Sequence, residues 1–344
     1  MNVGEERLLN DWQHGFPLCQ RPYAQLARDV GFSEAEVMEV FCRMLGDGRI
    51  SRIGGVFAPD AGGASSLVAM SVPEERIEAV AAEVSAHPGV NHNYLREHSL
   101  NLWFVMTGAN SEAVESGIVA LENRCDCQAL RLPMLSAYHI DLGFDLRGRA
   151  VAKRPPQAHG AARLLAPAEW PLAECAERGL AVVERPYAAW GEEFGWSEAK
   201  VIASLEDWLA GGQLKRFGVV VRHHELGFVA NAMTVFNVPD EEVAARGEAL
   251  AGQEGVTLCY RRARAAGWPY NLYAMVHGVE REAVLGMIEA ASHKAGLEPY
   301  PREILFSVRR FKQTGARRFR GWDKTDGGGV AAMTREEEVD HAFA

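Results

Sequence analysis

Apolar positions in this chain change their spacing in a fixed order, and the whole order occurs twice. Residues 2–15 and Tyr23–Val30 carry apolar side chains at helical spacing, as does the stretch from Ser33 to Leu45. Ser33 is suited to cap the third helix, Glu36 completes a capping box, and Gly46-Asp47-Gly48 stops it. Ile50–Phe57 then alternates as a strand, the wing of a winged helix-turn-helix. A strand (Ser66–Val72), a helix (Glu74–Ala86), a hairpin (Gly89–Gly108), a helix (Ser111–Asn123) and a strand (Ala129–Leu135) follow. In the second half the helices are Tyr187–Phe194 and Ser197–Leu209, and the wing is Leu214–Val221. Next come Val229–Val238, Asp240–Gly252, a hairpin over Gly255–Gly278, Val279–Lys294 and Glu303–Phe311. The pattern predicts an α+β fold: a tandem duplication of a winged helix-turn-helix followed by a βαββαβ, ferredoxin-like domain.

Particular residues confirm the duplication. Arg21-Pro22-Tyr23 returns as Arg185-Pro186-Tyr187, Gly31-Phe32-Ser33-Glu34 as Gly195-Trp196-Ser197-Glu198, and Arg52-Ile53-Gly54 as Arg216-Phe217-Gly218. All three share an offset of 164, and Asn101-Leu102 returns as Asn271-Leu272 at 170. One long offset disturbed by small insertions means two homologous halves, not a solenoid. The expected domains are 1–60 and 61–146, a Pro- and Ala-rich linker over 147–165, then 166–224 and 225–322. A Gly-rich, then acidic tail over 323–344 is expected to be disordered.

A net charge of -10 argues against a general binder of nucleic acid or anionic membrane. The six cysteines form no CxxC pair, which suits reduced thiols in a cytoplasm, and Cys125-Asp126-Cys127 reads as structural. No basic, apolar leader opens the chain, and no apolar run reaches membrane-spanning length. The second helices of the two helix-turn-helix units, SEAEVMEVFCRML and SEAKVIASLEDWL, carry more acidic than basic residues, so DNA binding is not expected.

The chemistry gathers on the two hairpins. Alternation places His92, Tyr94 and Arg96 on one strand face, with His98 in the turn beyond. The second copy keeps Tyr260 and Arg262, and adds Arg261, Arg264, His277 and a longer turn holding Trp268-Pro269-Tyr270. Arginine can hold a carboxylate through paired hydrogen bonds, and histidine exchanges protons near neutrality. A further basic run, Arg309-Arg310-Phe311-Lys312, suits the rim of a site for an anionic small molecule. No GxGxxG, P-loop, GxSxG, HExxH or zinc-finger spacing occurs.

With RPY, GFSE, GRISRIGGVF, HNYLREHSLNLWF, CYRR, WPYNLYAMVHG and LFSVRRFKQTGAR in view, the chain resembles the siroheme decarboxylases, relatives of the Lrp/AsnC regulators. The first half resembles their L-type component and the second the D-type, over roughly residues 10–320. The resemblance implies removal of carbon dioxide from two acetate side chains of siroheme, giving 12,18-didecarboxysiroheme toward haem d1 or haem b. It implies no cofactor beyond the iron-tetrapyrrole substrate, no resident metal, and a pseudo-dimer of the two halves with scope for a homodimer or for further pathway enzymes as partners. A regulator that senses a tetrapyrrole is the alternative. The expected proton donors are His98 first, then His92 and His277. Tyr94, Arg96, Tyr260, Arg261, Arg262, Trp268, Tyr270, Arg310 and Lys312 are expected to bind substrate. The halves differ at His92 against Leu258, Thr107 against His277, and Tyr138-His139-Ile140 against Phe311-Lys312-Gln313, so the two sites are expected to be unequal.

Overall fold

The computed structural model describes residues 2–140, 143–145, 150–151, 162–222 and 224–320. Most of the expected linker, and the tail beyond Arg320, lie outside the described residues.

The first half opens with helices α1 (Val3–Asn10), α2 (Pro22–Val30) and α3 (Glu34–Gly46), then strand β1 (Ile50–Phe57). Ser33 and Glu36 close the capping box before α3, and Gly31 ends α2 in the left-handed region at φ +76°. Strands β2 (Ala64–Met70), β3 (Val90–Arg96), β4 (Leu102–Gly108) and β5 (Ala129–Ile140) follow, with α4 (Ile77–Ala86) and α5 (Ser111–Cys125) between them. A short ribbon, β6 (Phe144–Asp145) with β7 (Ala150–Val151), precedes the second half. That half repeats the order: α6 (Trp170–Arg178), α7 (Pro186–Phe194), α8 (Glu198–Ala210), β8 (Leu214–Val221), β9 (Ala230–Phe236), α9 (Val243–Ala251), β10 (Val256–Arg262), β11 (Leu272–Gly278), α10 (Arg281–Lys294) and β12 (Arg302–Gln313). Cys125 ends α5 and Cys127 is buried behind it, and both thiols are free, which fits their structural reading.

The repeated motifs tie the halves together. Tyr23 donates its hydroxyl to the Ala181 carbonyl (3.0 Å), and Tyr187 donates to the Pro17 carbonyl (2.8 Å), so each Arg-Pro-Tyr reaches into the other half. Both helix-turn-helix units share one core, with Phe41, Trp190, Trp208 and Phe217 fully buried in it. The two Asn-Leu motifs brace the sheets. Asn101 bonds the amide and carbonyl of Val72 (2.9 and 2.8 Å), and Asn271 does the same for Val238 (3.0 and 2.9 Å).

Each wing is a single strand, and the two strands pair with each other, β1 antiparallel to β8. A wing spent in this way does not project to follow a DNA backbone. Together with the acidic helices α3 and α8, this leads to a small prediction. In a gel-shift series from low to physiological salt, the protein should give no salt-dependent shift of duplex DNA.

Within each half the four strands take the order β5-β2-β4-β3 or β12-β9-β11-β10, the ferredoxin-like arrangement. The last strand then leaves its own sheet. β12 pairs with β9 through Phe306 and with β3 from Ser307 onward. β5 pairs with β2 through Pro133 and with β10 from Met134 onward. The eight strands therefore close into one barrel with helices outside. Leu67, Ala69, Trp103, Leu132, Met233, Val235, Trp268, Tyr273 and Leu305 form its apolar interior.

Candidate functional site at the strand junctions

Barrel closure creates two junctions related by the repeat: β3 against β12, and β10 against β5. Register decides what each presents. At the first junction, His92 faces Gln313, Tyr94 faces Arg310, and Arg96 faces Ser307. At the second, the corresponding pairs are Leu258 with Ile140, Tyr260 with Ala137, and Arg262 with Met134. Both junctions keep the Tyr and Arg of the hairpins. Across these three pairs only the first junction adds imidazole, guanidinium, amide and hydroxyl; at the second, His139 and Ser136 stand at the intervening positions, opposite Cys259 and Arg261.

The arginines are buried. Arg96 donates from Nη1 to the Leu305 carbonyl (2.9 Å), and its Nε has no hydrogen-bond partner. No carboxylate pairs with it among the described residues, and burial pulls its pKa down to about 10. A desolvated cation without a counterion is costly. An anionic ligand would relieve that cost. Arg262 likewise donates to the Leu132 carbonyl (2.9 Å), but it lies over two rings, Tyr260 at 5.2 Å and Tyr273 at 5.7 Å. Trp268, 3% exposed, drops in from the long turn and donates its indole N–H to the Tyr273 hydroxyl (2.7 Å). Arg262 Nε is likewise buried without a hydrogen-bond partner and burial lowers its pKa, but two ring faces lie near its charge, whereas Arg96 has the Tyr94 ring alone, at 5.6 Å.

The histidines separate. His92 and Tyr94 stack at 6.2 Å between ring centroids. Burial, then the nearby Arg52 charge, lowers the His92 pKa to about 4. His277 is buried on β11, with Nδ1 2.9 Å from the Thr257 hydroxyl, which itself donates to the Met275 carbonyl (3.0 Å). His277 pairs in register with Asn231, and Asn231 bonds Ser307, which faces Arg96. A polar line thus runs from His277 in the second half to Arg96 in the first. The repeat mate of His277, Thr107, pairs with Ser65. His98 is elsewhere: its Nδ1 accepts the Leu100 N–H (2.9 Å), and its ring stands edge-on to Trp268 at 5.4 Å.

The other candidates divide the same way. Arg310 lies at the first junction but is ion-paired with Glu225, from the turn before β9. Lys312 turns to the helix side and donates to the carbonyls of Ser85 (2.6 Å) and His87 (3.2 Å), where burial lowers its pKa to about 8. Arg261 is held by Asp240 (2.9 Å), and the Tyr270 hydroxyl by Glu303 (3.3 Å). The structure brings His92, Tyr94, Arg96 and Arg310 together along the first junction, with His277 two strands away on β11, in register with Asn231. Lys312, Arg261 and Tyr270 are not part of that group. The reading of the sequence missed Asn231 and Ser307. A lone amide in the apolar run VANAMTVF was the available signal for Asn231, and Ser307 gave none.

The fold is that of an AsnC-like ligand-binding protein in which the strand junction is built twice, with different residues facing the shared Tyr and Arg. The family description "AsnC-like ligand binding domain" matches residues 60–139 and 225–312, and "Siroheme decarboxylase NirDL-like HTH domain" matches 5–50 and 175–214. The chain is 43% identical to the siroheme decarboxylase NirDL subunit of Paracoccus pantotrophus, over 90% of this chain and 95% of that one. The siroheme decarboxylase NirD subunit of Stutzerimonas stutzeri, a protein of half the size, is 49% identical over 41% of this chain and 92% of its own. Among solved structures, siroheme decarboxylase NirDL in co-complex with an iron-uroporphyrin III analogue aligns with a TM-score of 0.63 and 26% identity, over 92% of this chain and 94% of that one. The chain belongs to the siroheme decarboxylase family and is a carboxy-lyase. No helix among the described residues is long and apolar enough to cross a membrane.

Proposed function

We propose that this chain removes carbon dioxide from two acetate side chains of siroheme at the first junction, giving 12,18-didecarboxysiroheme on the way to haem d1. The observation that carries the site assignment is Arg96, a buried guanidinium with no carboxylate partner among the described residues, on the same strand as His92 and facing Ser307, which bonds Asn231. Loss of carbon dioxide leaves an electron pair that the conjugated macrocycle delocalises. The resulting methylene then takes one proton to become methyl. For each acetate, a carboxylate and a proton become a methyl group and carbon dioxide, with no external oxidant or reductant. The protein must hold carboxylates, strip water from the one that leaves, and supply protons. Arg96 and Tyr94 serve the first task and the barrel wall the second. His92 and His277 serve the third, one imidazole for each acetate. Anaerobic incubation with siroheme should give a product lighter by two carbon dioxide units. Unchanged siroheme from well-folded protein would refute the reading.

His92 makes binding sensitive to pH. Its ordinary pKa, near 6.5, falls to about 4 in the folded protein. It is thus neutral at pH 7, and its protonation opposes the fold. Stability should therefore decline as the pH drops from about 6.5 toward 4, and less steeply in His92→Asn. An anionic substrate beside the ring counters Arg52 and raises that pKa. Substrate binding near pH 6 should consequently take up protons. Calorimetry in buffers of differing ionisation heat would measure the uptake, and its absence would place the carboxylates away from His92.

A further inference from the structure

We infer that Arg52, supplied by the wing of the first half, grips a carboxylate of the tetrapyrrole at the His92 end of the first junction. The inference rests on the site proposed above and adds a residue from outside the barrel. Arg52 stands on β1, facing Val220 in the strand pair between the wings. Its guanidinium reaches the segment that follows β12, because a side chain added at Gly315 would begin 3.0 Å from Arg52 Nη1. That segment is fixed beside β3: Gln313 faces His92, and the Thr314 N–H donates to the Asn91 carbonyl (2.7 Å). The Arg52 charge is accordingly felt by His92.

Arg52 keeps binding capacity. Nη2 donates to the Gly55 carbonyl (3.2 Å), while Nε is buried without a partner. Glu177, whose charge acts on Arg52, is bonded elsewhere. It accepts the backbone N–H groups of Arg318 (2.9 Å) and Phe319 (3.3 Å), and Nε of Arg318 lies at 3.4 Å. The repeat mate Arg216 differs. It donates to the Gln13 carbonyl (2.9 Å) and the Val219 carbonyl (3.3 Å). One wing arginine therefore ties down backbone, and the other is aimed at the end of the barrel that holds His92. On this view the winged domain has exchanged a phosphate contact for a carboxylate contact.

The test uses the full-length protein and iron-uroporphyrin III, titrated by absorbance. Arg52→Gln should weaken binding by about tenfold or more, the loss of a charged hydrogen bond. Arg52→Lys retains the charge near Glu177 and so protects folding, but it lacks the planar fork and should lose about fivefold. Arg216→Gln, the matched control, should bind within about twofold of wild type while melting lower. In the ligand-free protein, the His92 ring signals in NMR should titrate at higher pH in Arg52→Gln and be unmoved in Arg216→Gln, which places the Arg52 charge, and not that of Arg216, beside His92. Wild-type affinity in whichever Arg52 variant folds overturns the inference. Failure of the wild-type protein itself to bind iron-uroporphyrin III overturns the site reading on which it rests.

Discussion

His92→Ala and His277→Ala should each fold, bind siroheme and lose about 100- to 10,000-fold in turnover, the range that a positioned general acid contributes. The two rings come from opposite halves: His92 stands at the first junction, stacked on Tyr94, and His277 is in register with Asn231, which bonds Ser307 of that junction. Loss of one should arrest the reaction after a single decarboxylation, if each ring serves one acetate. Mass analysis of the product would then show a monodecarboxylated species accumulating. His98→Ala should behave differently. Its Nδ1 is committed to the Leu100 amide and its ring packs on Trp268. A lower melting temperature with nearly intact turnover per folded molecule is the expected result. If His98→Ala alone abolishes turnover, the proton comes from the hairpin turn and the first junction loses its assignment.

Arg96→Ala should weaken binding of iron-uroporphyrin III by about ten- to a hundredfold, whereas Arg262→Ala should change it by less than about threefold. The two arginines are repeat mates with the same kind of backbone bond. Their surroundings separate them. Arg262 lies over Tyr260 and Tyr273, with Trp268 bonded to the latter, and the residue facing it across the junction is Met134, where Arg96 faces Ser307. Its removal should appear as a lower melting temperature. Absorbance titration beside a thermal melt distinguishes the two outcomes. Equal loss of affinity in both variants would mean that both junctions bind substrate.

Much of the architecture was legible because short-range signals fix it. The Ser33 capping box and the Gly31 turn stand where the spacing of polar and apolar residues puts them, and β1 and β8 match the expected spans residue for residue. What could not be read was long-range pairing. β5 was expected to stop at Leu135, but it runs to Ile140, because its second part pairs with β10 of the other half. That stretch, LSAYHI, is half exposed and lacks clean alternation, so no local pattern announces it. The site suffered in the same way. His92 and His98 look like neighbours in sequence. An extended strand nevertheless carries His92 about 13 Å from Arg96 before the turn begins. The halves' inequality at 92 against 258 was visible, but the partners that decide it, Ser307 and Asn231, lie on strands whose register only the fold sets. The wing arginine was noticed as part of a repeat, with nothing in the sequence to aim it at a barrel.

The exchange of β5 and β12 between sheets has a kinetic consequence. Arg96 meets Leu305 across 209 residues of chain, and Arg262 meets Leu132 across 130. Closing such loops costs entropy before any contact repays it, so the chain should fold slowly and late in synthesis. Until β12 exists, β3 is an open edge, and the outer part of β5 waits for β10. Unpaired edges of this kind seek strands from other molecules. A ribosome pausing after the first half would thus expose a surface suited to capturing a second nascent chain. Joining both halves in one polypeptide keeps the completing strand tethered nearby.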